Sequence, residues 1–232
     1  MKYKQSFVIA AGLLICTVIL SAAICHINSK PVNVSALPWA SLRIVLDAGH
    51  GGIDPGASGS SGQIEKDINL SITYKLRDFL TASGYDVILT RDGDYSMQDK
   101  EIKKSHKKSD IDNRIKIINN PANTLAVSIH QNSYESSSIW GTQTFYNGKD
   151  EDSKALAKSI QDSVTGHLQP DNHREIKPSG GRLRVVDDSV IPTVMVECGF
   201  LTNAREAALL TTDEYQSRMA FAIYAGIVGY LQ

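Results

Sequence analysis

The chain has 232 residues, of which 42% are hydrophobic and 21% are charged, and its formal net charge is −1 at pH 7. The first 39 residues contain three lysines and no acid, so the rest of the chain carries 21 basic and 25 acidic residues, a balance that excludes a dedicated nucleic-acid surface. About 190 residues can bury a substantial core in one domain, and no internal repeat or second compositional block indicates a separate binding module.

The N-terminus has the pattern of an export signal. Lys2 and Lys4 precede an uncharged apolar run of 19 residues from Phe7 to Cys25, and the small residues Ser21 to Ala23 lie near its end. This run is longer than the usual core of a signal peptide and approaches the length that spans a bilayer. A cleaved signal peptide and a retained membrane anchor therefore both fit the sequence.

The N-terminal pattern leads to three predicted regions: a signal peptide or anchor over residues 1–27, a linker over 28–39 and a folded domain over 40–232. Cys25 suggests a lipid attachment site, but Ile24 is bulky where such a site needs a small residue. The linker contains two prolines and polar residues. We therefore expect the domain to act outside the cytoplasm, either secreted or anchored to the membrane, and to contact the membrane only through the N-terminal segment.

Four short runs rich in Val, Ile and Leu predict β-strands that are covered on both faces. They are Leu42 to Leu46, Tyr85 to Thr90, Leu125 to Ile129 and Thr193 to Val196. Cys198 is the only cysteine that follows the leader, so no disulfide can form within the domain.

Apolar residues at helical spacing predict four helices between and after these strands. The last helix follows Asp213, which is its predicted N-cap. The helical positions are Ile68, Ile72, Leu76, Phe79 and Leu80, with a stop at Gly84; Ile111, Ile115 and Ile118; Leu156, Ile160 and Val164; and Tyr215, Met219, Ile223 and Ile227. The alternation predicts a single α/β domain with an open, mixed but mostly parallel sheet and helices on both faces.

Three of four candidate polar residues fall where such a sheet collects functional groups, at the carboxyl ends of its strands. His50 follows the first strand, His130 ends the third, and Glu197 ends the fourth, while Glu65 follows a Gly- and Ser-rich loop that can bend back toward His50. Two imidazoles and one carboxylate with an open position are what a catalytic zinc needs, and a second carboxylate can then serve as a base. Each residue alone is more often an ordinary hydrogen-bonding or helix-start residue.

The segments around these residues resemble the zinc-dependent N-acetylmuramoyl-L-alanine amidases of the Amidase_3 family, which cut peptidoglycan between the sugar and its stem peptide. The resemblance covers nearly all of residues 42–232. Its motifs are Asp-Ala-Gly-His-Gly-Gly, Ser-Ile-His-Gln-Asn, Val-Met-Val-Glu-Cys-Gly-Phe-Leu-Thr-Asn, Thr90-Arg91 with Asp94, Arg114 to Asn120, and Leu183 to Val186 ahead of Pro192. It implies that His50, Glu65 and His130 bind Zn²⁺ and that Glu197 is the catalytic acid and base for water attack on the lactyl carbonyl.

Within the family, a short exported chain without wall-binding repeats resembles the spore-cortex amidases. This implies a role in cortex maturation, where amide cleavage prepares muramic-δ-lactam formation. The expected partner is the peptidoglycan substrate, and both an accessory protein and a homodimer stay open. Residues 97–108 depart from the family pattern, because this basic, polar stretch is longer than usual.

Two other functions remain to be weighed. A cysteine hydrolase would use Cys198, but neighbouring strand residues point to opposite faces, so Cys198 faces the core if Glu197 faces the site. A catalytically silent or partner-dependent wall-binding protein of the same fold would bind metal without turnover.

Several further polar residues have both a functional and a structural interpretation. Asp47 could orient the His50 imidazole or cap a turn, and Arg184 could pair with a stem-peptide carboxylate or lie on the surface. Asn132 and Asn203 could bind substrate amides or stabilise turns. The histidines outside the motifs are predicted not to bind metal: His106 in a solvated basic loop, His167 at a helix end and His173 in a polar loop.

Overall fold

The computed structural model describes residues 42–99 and 106–232. In this part of the chain one sheet contains β1 (Arg43–Ala48), β2 (Asp86–Leu89), β3 (Leu125–Asn132), β4 (Gln143–Tyr146), β5 (Lys177–Pro178) and β6 (Thr193–Phe200). The strand order is β2-β1-β3-β6-β4-β5. All neighbouring strands are parallel except β4 and β6, which are antiparallel. The prediction of an open, mixed and mostly parallel sheet is therefore confirmed.

The helices cover both faces of this sheet, as predicted. They are α1 (Glu65–Ala82), α2 (His106–Ile118), α3 (Glu151–His167), α4 (Arg184–Asp187), α5 (Ala204–Leu210) and α6 (Asp213–Leu231). Helices α1, α3, α5 and α6 contribute to the larger hydrophobic cluster on one face. Helices α2 and α4 contribute to the smaller cluster on the other face.

Alternation along β1 shows how one strand serves both clusters. Ile44 and Leu46 belong to the larger cluster, whereas Val45 packs with Ile118 and Val185 in the smaller one. All three β1 side chains are fully buried. A central strand that is buried on both faces has a continuous run of apolar residues. This is why β1 could be predicted from its sequence.

Some element boundaries differ from the predictions. Strand β6 continues past Val196 to Phe200, so Glu197 lies inside the strand. Helix α2 begins at His106, so the prediction that His106 lies in a loop is wrong. Thr212, and not Asp213, is the N-cap of α6, because its side chain accepts a hydrogen bond from the backbone N–H of Tyr215.

The predicted signal peptide or anchor and the linker lie outside the described residues, as does the middle of the basic stretch at 100–105. Among the residues that the structure describes, no helix has the length and apolar character of a membrane span.

Candidate active site

The sheet brings the four candidate residues to its carboxyl edge. His50 comes two residues after β1, and Glu65 is the first residue of α1. His130 in β3 is directly opposite Glu197 in β6 in the parallel register. Side chains at paired positions of neighbouring strands share a face, so the register places the His130 and Glu197 side chains next to each other.

His50, Glu65 and His130 form a compact group of possible metal ligands. One donor atom from each lies within 4.8 Å of the others. Glu65 Oε1 is 3.1 Å from His50 Nε2 and 3.0 Å from His130 Nδ1. The two imidazole rings stand edge to face, with centroids 4.9 Å apart. The three donors thus converge on one point from three separate elements.

Hydrogen bonds hold the Glu65 carboxylate in place. Its Oε2 accepts from the backbone N–H of Ala57 at 2.7 Å, and its Oε1 accepts from the N–H of Gln131 at 3.1 Å. The Asn69 side-chain amide also donates to Oε1, at 3.3 Å. Glu65 is 3% exposed, so these bonds determine which way the buried carboxylate points.

Two buried arginines hold the backbone that carries His50. Arg114 donates to the carbonyls of Ala48 and His50 at 2.7 and 2.6 Å. Arg91 donates to the carbonyls of Ala48 and Gly49 at 2.8 and 3.0 Å. His50 itself has φ of 61°, a left-handed conformation that costs energy for a residue with a side chain. The arginines stabilise this conformation because they bind the carbonyls on both sides of the turn.

Gly49 and Gly56 allow backbone to pass close to the imidazoles. A Cβ at Gly49 would lie 2.2 Å from the His130 ring. A Cβ at Gly56 would lie 2.5 Å from Glu65 Oε2 and 2.7 Å from the His50 ring, and Gly56 also has φ of 67°. Any larger residue at either position would displace a candidate ligand. These glycines therefore shape the site.

The charges in this group favour an ionised carboxylate between two basic rings. Burial alone would raise the pKa of Glu65, but the His130 and His50 imidazoles bring it well below its ordinary value. Burial would lower the pKa of His50, but Glu65 and Asp54 outweigh it and the pKa is raised. A carboxylate oxygen and two imidazole nitrogens are also donors that bind metal cations.

Asp54 is a site residue that the sequence analysis missed. Its Oδ2 lies 2.9 Å from His50 Nδ1, on the opposite side of the ring from Glu65. The backbone N–H of Gly56 donates to its Oδ1 at 3.1 Å, which fixes the carboxylate at the turn. The Asp-Pro-Gly sequence after His50 signals this turn, but it does not show that the turn folds back onto the ring.

Asp47 has neither of the two roles considered for it, orienting the His50 imidazole or capping a turn. Asp47 is fully buried and accepts hydrogen bonds from Thr90, Ser128 and Arg114 at 2.6, 2.5 and 2.7 Å. It holds Arg114, and Arg114 in turn holds the His50 turn. Its effect on the site is therefore indirect.

Glu197 has the environment expected of a proton-transfer group. Its Oε2 is buried without a hydrogen-bond partner in the described part of the chain. Burial, assisted by the Glu65 charge, raises the pKa of Glu197 to about 7. A carboxyl group with a pKa near neutrality can both take up and release a proton at physiological pH.

Cys198 faces away from this site. Its side chain is fully buried in the larger hydrophobic cluster, and burial raises the pKa of its thiol far above its ordinary value. The predicted opposition of Glu197 and Cys198 across the sheet is therefore confirmed. A buried thiol with a raised pKa is a poor nucleophile, which argues against the cysteine hydrolase.

A cavity of about 270 Å³ opens over these residues, and we call it the site cavity. His50, His130 and Glu197 line its floor, and Asp54 borders them. Residues of α2 and of the segment leading into α4 form its walls.

The remaining candidates have structural partners. Asn203 is the N-cap of α5, since it accepts from the N–H groups of Arg205 and Glu206. The side chain of Asn132 accepts from the N–H of Ser133, as expected for a turn residue. Arg184 pairs with Asp112 and Asp188. His167 ends α3 and His173 lies in a loop, as predicted, and neither belongs to the metal-ligand group.

Comparison with known proteins agrees with the geometry. Residues 44–228 match the family model Amidase_3, described as N-acetylmuramoyl-L-alanine amidase. The germination-specific N-acetylmuramoyl-L-alanine amidase of Bacillus subtilis is 36% identical over 197 residues, which are 84% of this chain and 82% of the relative.

The chain is also similar to solved structures of amidases. The CwlD amidase from Clostridioides difficile, in complex with the GerS lipoprotein, is 45% identical with a TM-score of 0.79, over 82% of this chain and 98% of that one. The catalytic domain of the amidase CwlV from Bacillus (Paenibacillus) polymyxa is 33% identical with a TM-score of 0.69, over 82% of this chain and 98% of that one.

Proposed function

The chain belongs to the Amidase_3 family and is an N-acetylmuramoyl-L-alanine amidase, and from this premise we propose that His50, Glu65 and His130 hold one catalytic zinc ion while Glu197 transfers the proton. The bond that it cleaves is the amide between N-acetylmuramic acid and the L-alanine of the peptidoglycan stem peptide. The observation that supports the proposal best is the convergence of the three donors beside a buried, unpaired carboxyl oxygen of Glu197.

The donor group fits zinc in both chemistry and spacing. Imidazole nitrogen and carboxylate oxygen bind Zn²⁺ at about 2.0 to 2.2 Å, so neighbouring ligands of a tetrahedral site lie roughly 3.3 Å apart. The two separations from Glu65 Oε1, of 3.1 and 3.0 Å, are close to this value. Three protein ligands leave a fourth position open, which is typical of catalytic rather than structural zinc.

Zinc in this position would act as a Lewis acid that activates water toward an amide carbonyl. Asp54 orients the ring of His50, and the Arg91 and Arg114 side chains fix the turn that carries it. The hydrogen bonds to Glu65 keep that carboxylate pointed toward the two imidazoles.

Glu197 carries the proton transfers. As a carboxylate it accepts a proton from the attacking water, and as an acid it then donates that proton to the leaving amine of L-alanine. This role is supported by its position opposite His130 in the sheet and outside the group of three possible metal ligands. This sequence needs no covalent intermediate with the protein, which agrees with a buried Cys198.

We propose that this amidase acts outside the cytoplasm in maturation of the spore cortex, where the cleavage prepares muramic-δ-lactam formation. The proposal is supported by the likeness to the germination-specific amidase of Bacillus subtilis and to the CwlD amidase. Residues 1–27 would serve as a signal peptide or membrane anchor and residues 28–39 as a linker to the domain at 40–232. Because the CwlD structure contains a lipoprotein, an accessory protein is the partner that we favour over a homodimer.

Metal analysis and product analysis test the proposal together. The domain should bind one zinc per chain, and alanine at His50, Glu65 or His130 should remove both metal and activity. Mass spectrometry of digested peptidoglycan should show free muramyl carboxyl groups on the glycan and new L-alanine amines on the released peptides, only when zinc is present. Full zinc occupancy in His130→Ala would remove His130 from the site, and bound zinc without any product would favour a catalytically silent wall-binding protein.

A further inference from the structure

Most charged groups that line the site cavity are already neutralised by neighbours. Asp47 and Asp110 both pair with Arg114. Asp54 contacts His50, and Arg184 pairs with Asp112 and Asp188. The lining contains the acids Asp47, Asp54, Asp110 and Glu197 and the cations Lys107, Arg114, Arg182 and Arg184.

Lys107 and Arg182 are the exceptions in this lining. Both side chains are exposed, and within residues 42–99 and 106–232 neither forms an ion pair. Arg182 uses only its Nε, in a long contact of 3.5 Å with the carbonyl of Ser179, so its outer N–H groups stay available. Lys107 lines the site cavity together with Asp54, His50 and Glu197.

These two cations approach the cavity from different elements. Lys107 is the second residue of α2, and Arg182 follows the Gly180-Gly181 turn that leads into α4. Both of these segments form walls of the cavity. A ligand that enters the cavity beside Glu197 therefore meets one cation from α2 and one from the segment that precedes α4, and neither forms an ion pair with the described residues.

The substrate carries the matching charge on one side of the scissile bond only. The muramic acid carboxyl is consumed in the amide, so the free carboxylates that muramyl peptides can carry, at the second residue, at the diamino acid and at the C-terminus, all lie on the peptide side of that bond. A guanidinium binds a carboxylate through two parallel N–H groups, and an ammonium adds a point charge. Positive groups at the cavity wall would therefore select the direction in which the substrate lies.

We propose that Lys107 and Arg182 bind a carboxylate of the stem peptide and so determine substrate specificity. This inference rests on the proposed function, because it takes the site cavity to be where the amide is cleaved. The two residues position the peptide and transfer no proton. Their loss should therefore weaken substrate binding far more than it slows the chemical step.

Synthetic muramyl peptides that differ in one functional group test the proposal. One pair carries either a free carboxylate or a carboxamide at the second residue, and another pair differs in the same way at the diamino acid. Lys107→Ala, Arg182→Ala and the double variant are compared with the zinc-loaded parent enzyme. Matched controls are Lys108→Ala and Arg218→Ala, which remove exposed cations that do not line the cavity.

The double variant should raise KM for the carboxylate substrate by about 10- to 100-fold, the usual effect of charge-assisted hydrogen bonds, with kcat changed less than about threefold. KM for the matching carboxamide should change by no more than about threefold, and Arg182→Lys should recover part of the loss. The pair that shows this difference identifies the carboxylate, at the second residue or at the diamino acid.

Equal losses on carboxylate and carboxamide substrates, or a loss as large in Lys108→Ala, would overturn the proposal. So would an unchanged KM in the double variant on both pairs. Failure of the proposed function would look different. In that case the Glu197→Gln variant would cleave the carboxamide substrates as fast as the parent enzyme does.

Discussion

Glu197 has a largely buried carboxyl group whose pKa lies near neutrality. One of its oxygens is buried without a partner in the described part of the chain, and burial raises its pKa to about 7. We predict that Glu197→Gln retains zinc and loses about 10²- to 10⁴-fold in kcat, because glutamine keeps the shape but neither takes nor gives the proton. Zinc content by metal analysis and kcat on a muramyl peptide check this prediction.

Cys198→Ser is the matched control for Glu197→Gln, since the two residues are adjacent and face opposite sides of the sheet. It should keep activity near the parent level, with a modest loss of stability from placing a hydroxyl in the core. Normal cleavage by Glu197→Gln together with an inactive Cys198→Ser would contradict the assignment and restore the cysteine hydrolase.

Asp54 should act through His50. A neutral imidazole that binds metal through Nε2 carries its proton on Nδ1, and Asp54 Oδ2 lies 2.9 Å from that atom. We predict that Asp54→Asn weakens zinc affinity by about 10- to 100-fold, as loss of such partners typically does. Competition with a chromophoric chelator measures the affinity without reference to turnover, and Asp92→Asn, in a different loop, serves as the control. An unchanged zinc affinity would show that Asp54 merely stabilises its turn.

The four candidate site residues could be predicted from the sequence, whereas the residues that contact and hold them could not. His50, Glu65, His130 and Glu197 are recognisable from their flanks. Which aspartate faces the His50 ring depends on how the loop after Gly51 folds back, and no local pattern encodes that path. Asp47 is nearer in sequence, but the buried Arg114 engages it instead.

The packing of α6 on α3 illustrates how a helix position can be defined by a missing side chain. A Cβ at Gly226 would lie 2.5 Å from Cα of Ile160 and 3.0 Å from its N. Both are backbone atoms of α3, so the two helices would have to separate. We predict that Gly226→Ala lowers the free energy of unfolding by about 1 to 3 kcal/mol, the usual effect of overpacking. Urea unfolding followed by circular dichroism measures this change.

Gly166→Ala is the control for this prediction. Gly166 also lies in a helix, α3, but a Cβ there would meet no atom within 4 Å. Alanine should therefore stabilise the helix, by up to about 1 kcal/mol. Equal effects of both variants on stability would show that the close contact between α3 and α6 is not what Gly226 provides.

Among the elements, those with a strong apolar period were predicted and the short or polar ones were not. The four predicted strands and four predicted helices are all present, with shifted ends. Strand β4 has the sequence Gln-Thr-Phe-Tyr, without the run of Val, Ile and Leu that marked the other strands, and β5 has only two residues. The first five residues of helix α2, from His106, are all polar. The apolar pattern therefore predicted only the second half of this helix.

On the scale of the whole domain, one buried ion pair links the sheet to a helix and to the site. Asp47 in β1 binds Arg114 in α2, and both side chains are at most 3% exposed. Arg114 also binds the backbone of the His50 turn. Removing the charge of one partner leaves the other partner buried and uncompensated. Protonation of Asp47 should therefore destabilise the fold.

The pH dependence of stability should report on this pair. Burial would raise the pKa of Asp47, but the Arg114 charge and the hydrogen bonds from Ser128 and Thr90 lower it from 3.8 to about 2. A lowered pKa stabilises the fold above the ordinary value near pH 4, and this contribution is lost as the pH falls through about 2.

We predict that the metal-free domain loses about 2 kcal/mol from Asp47 between pH 5 and pH 2, in addition to the contributions of other acids. Asp47→Asn should be less stable than the parent at pH 7, because Arg114 stays buried without its partner, but its stability should fall less steeply in acid. Urea unfolding at a series of pH values, with a chelator present so that metal release adds nothing, measures both slopes. Equal slopes of the free energy of unfolding against pH for the parent and Asp47→Asn would contradict this prediction. They would show that Asp47 titrates in the folded domain as it does in the unfolded chain, so that the buried pair makes no contribution to the loss of stability in acid.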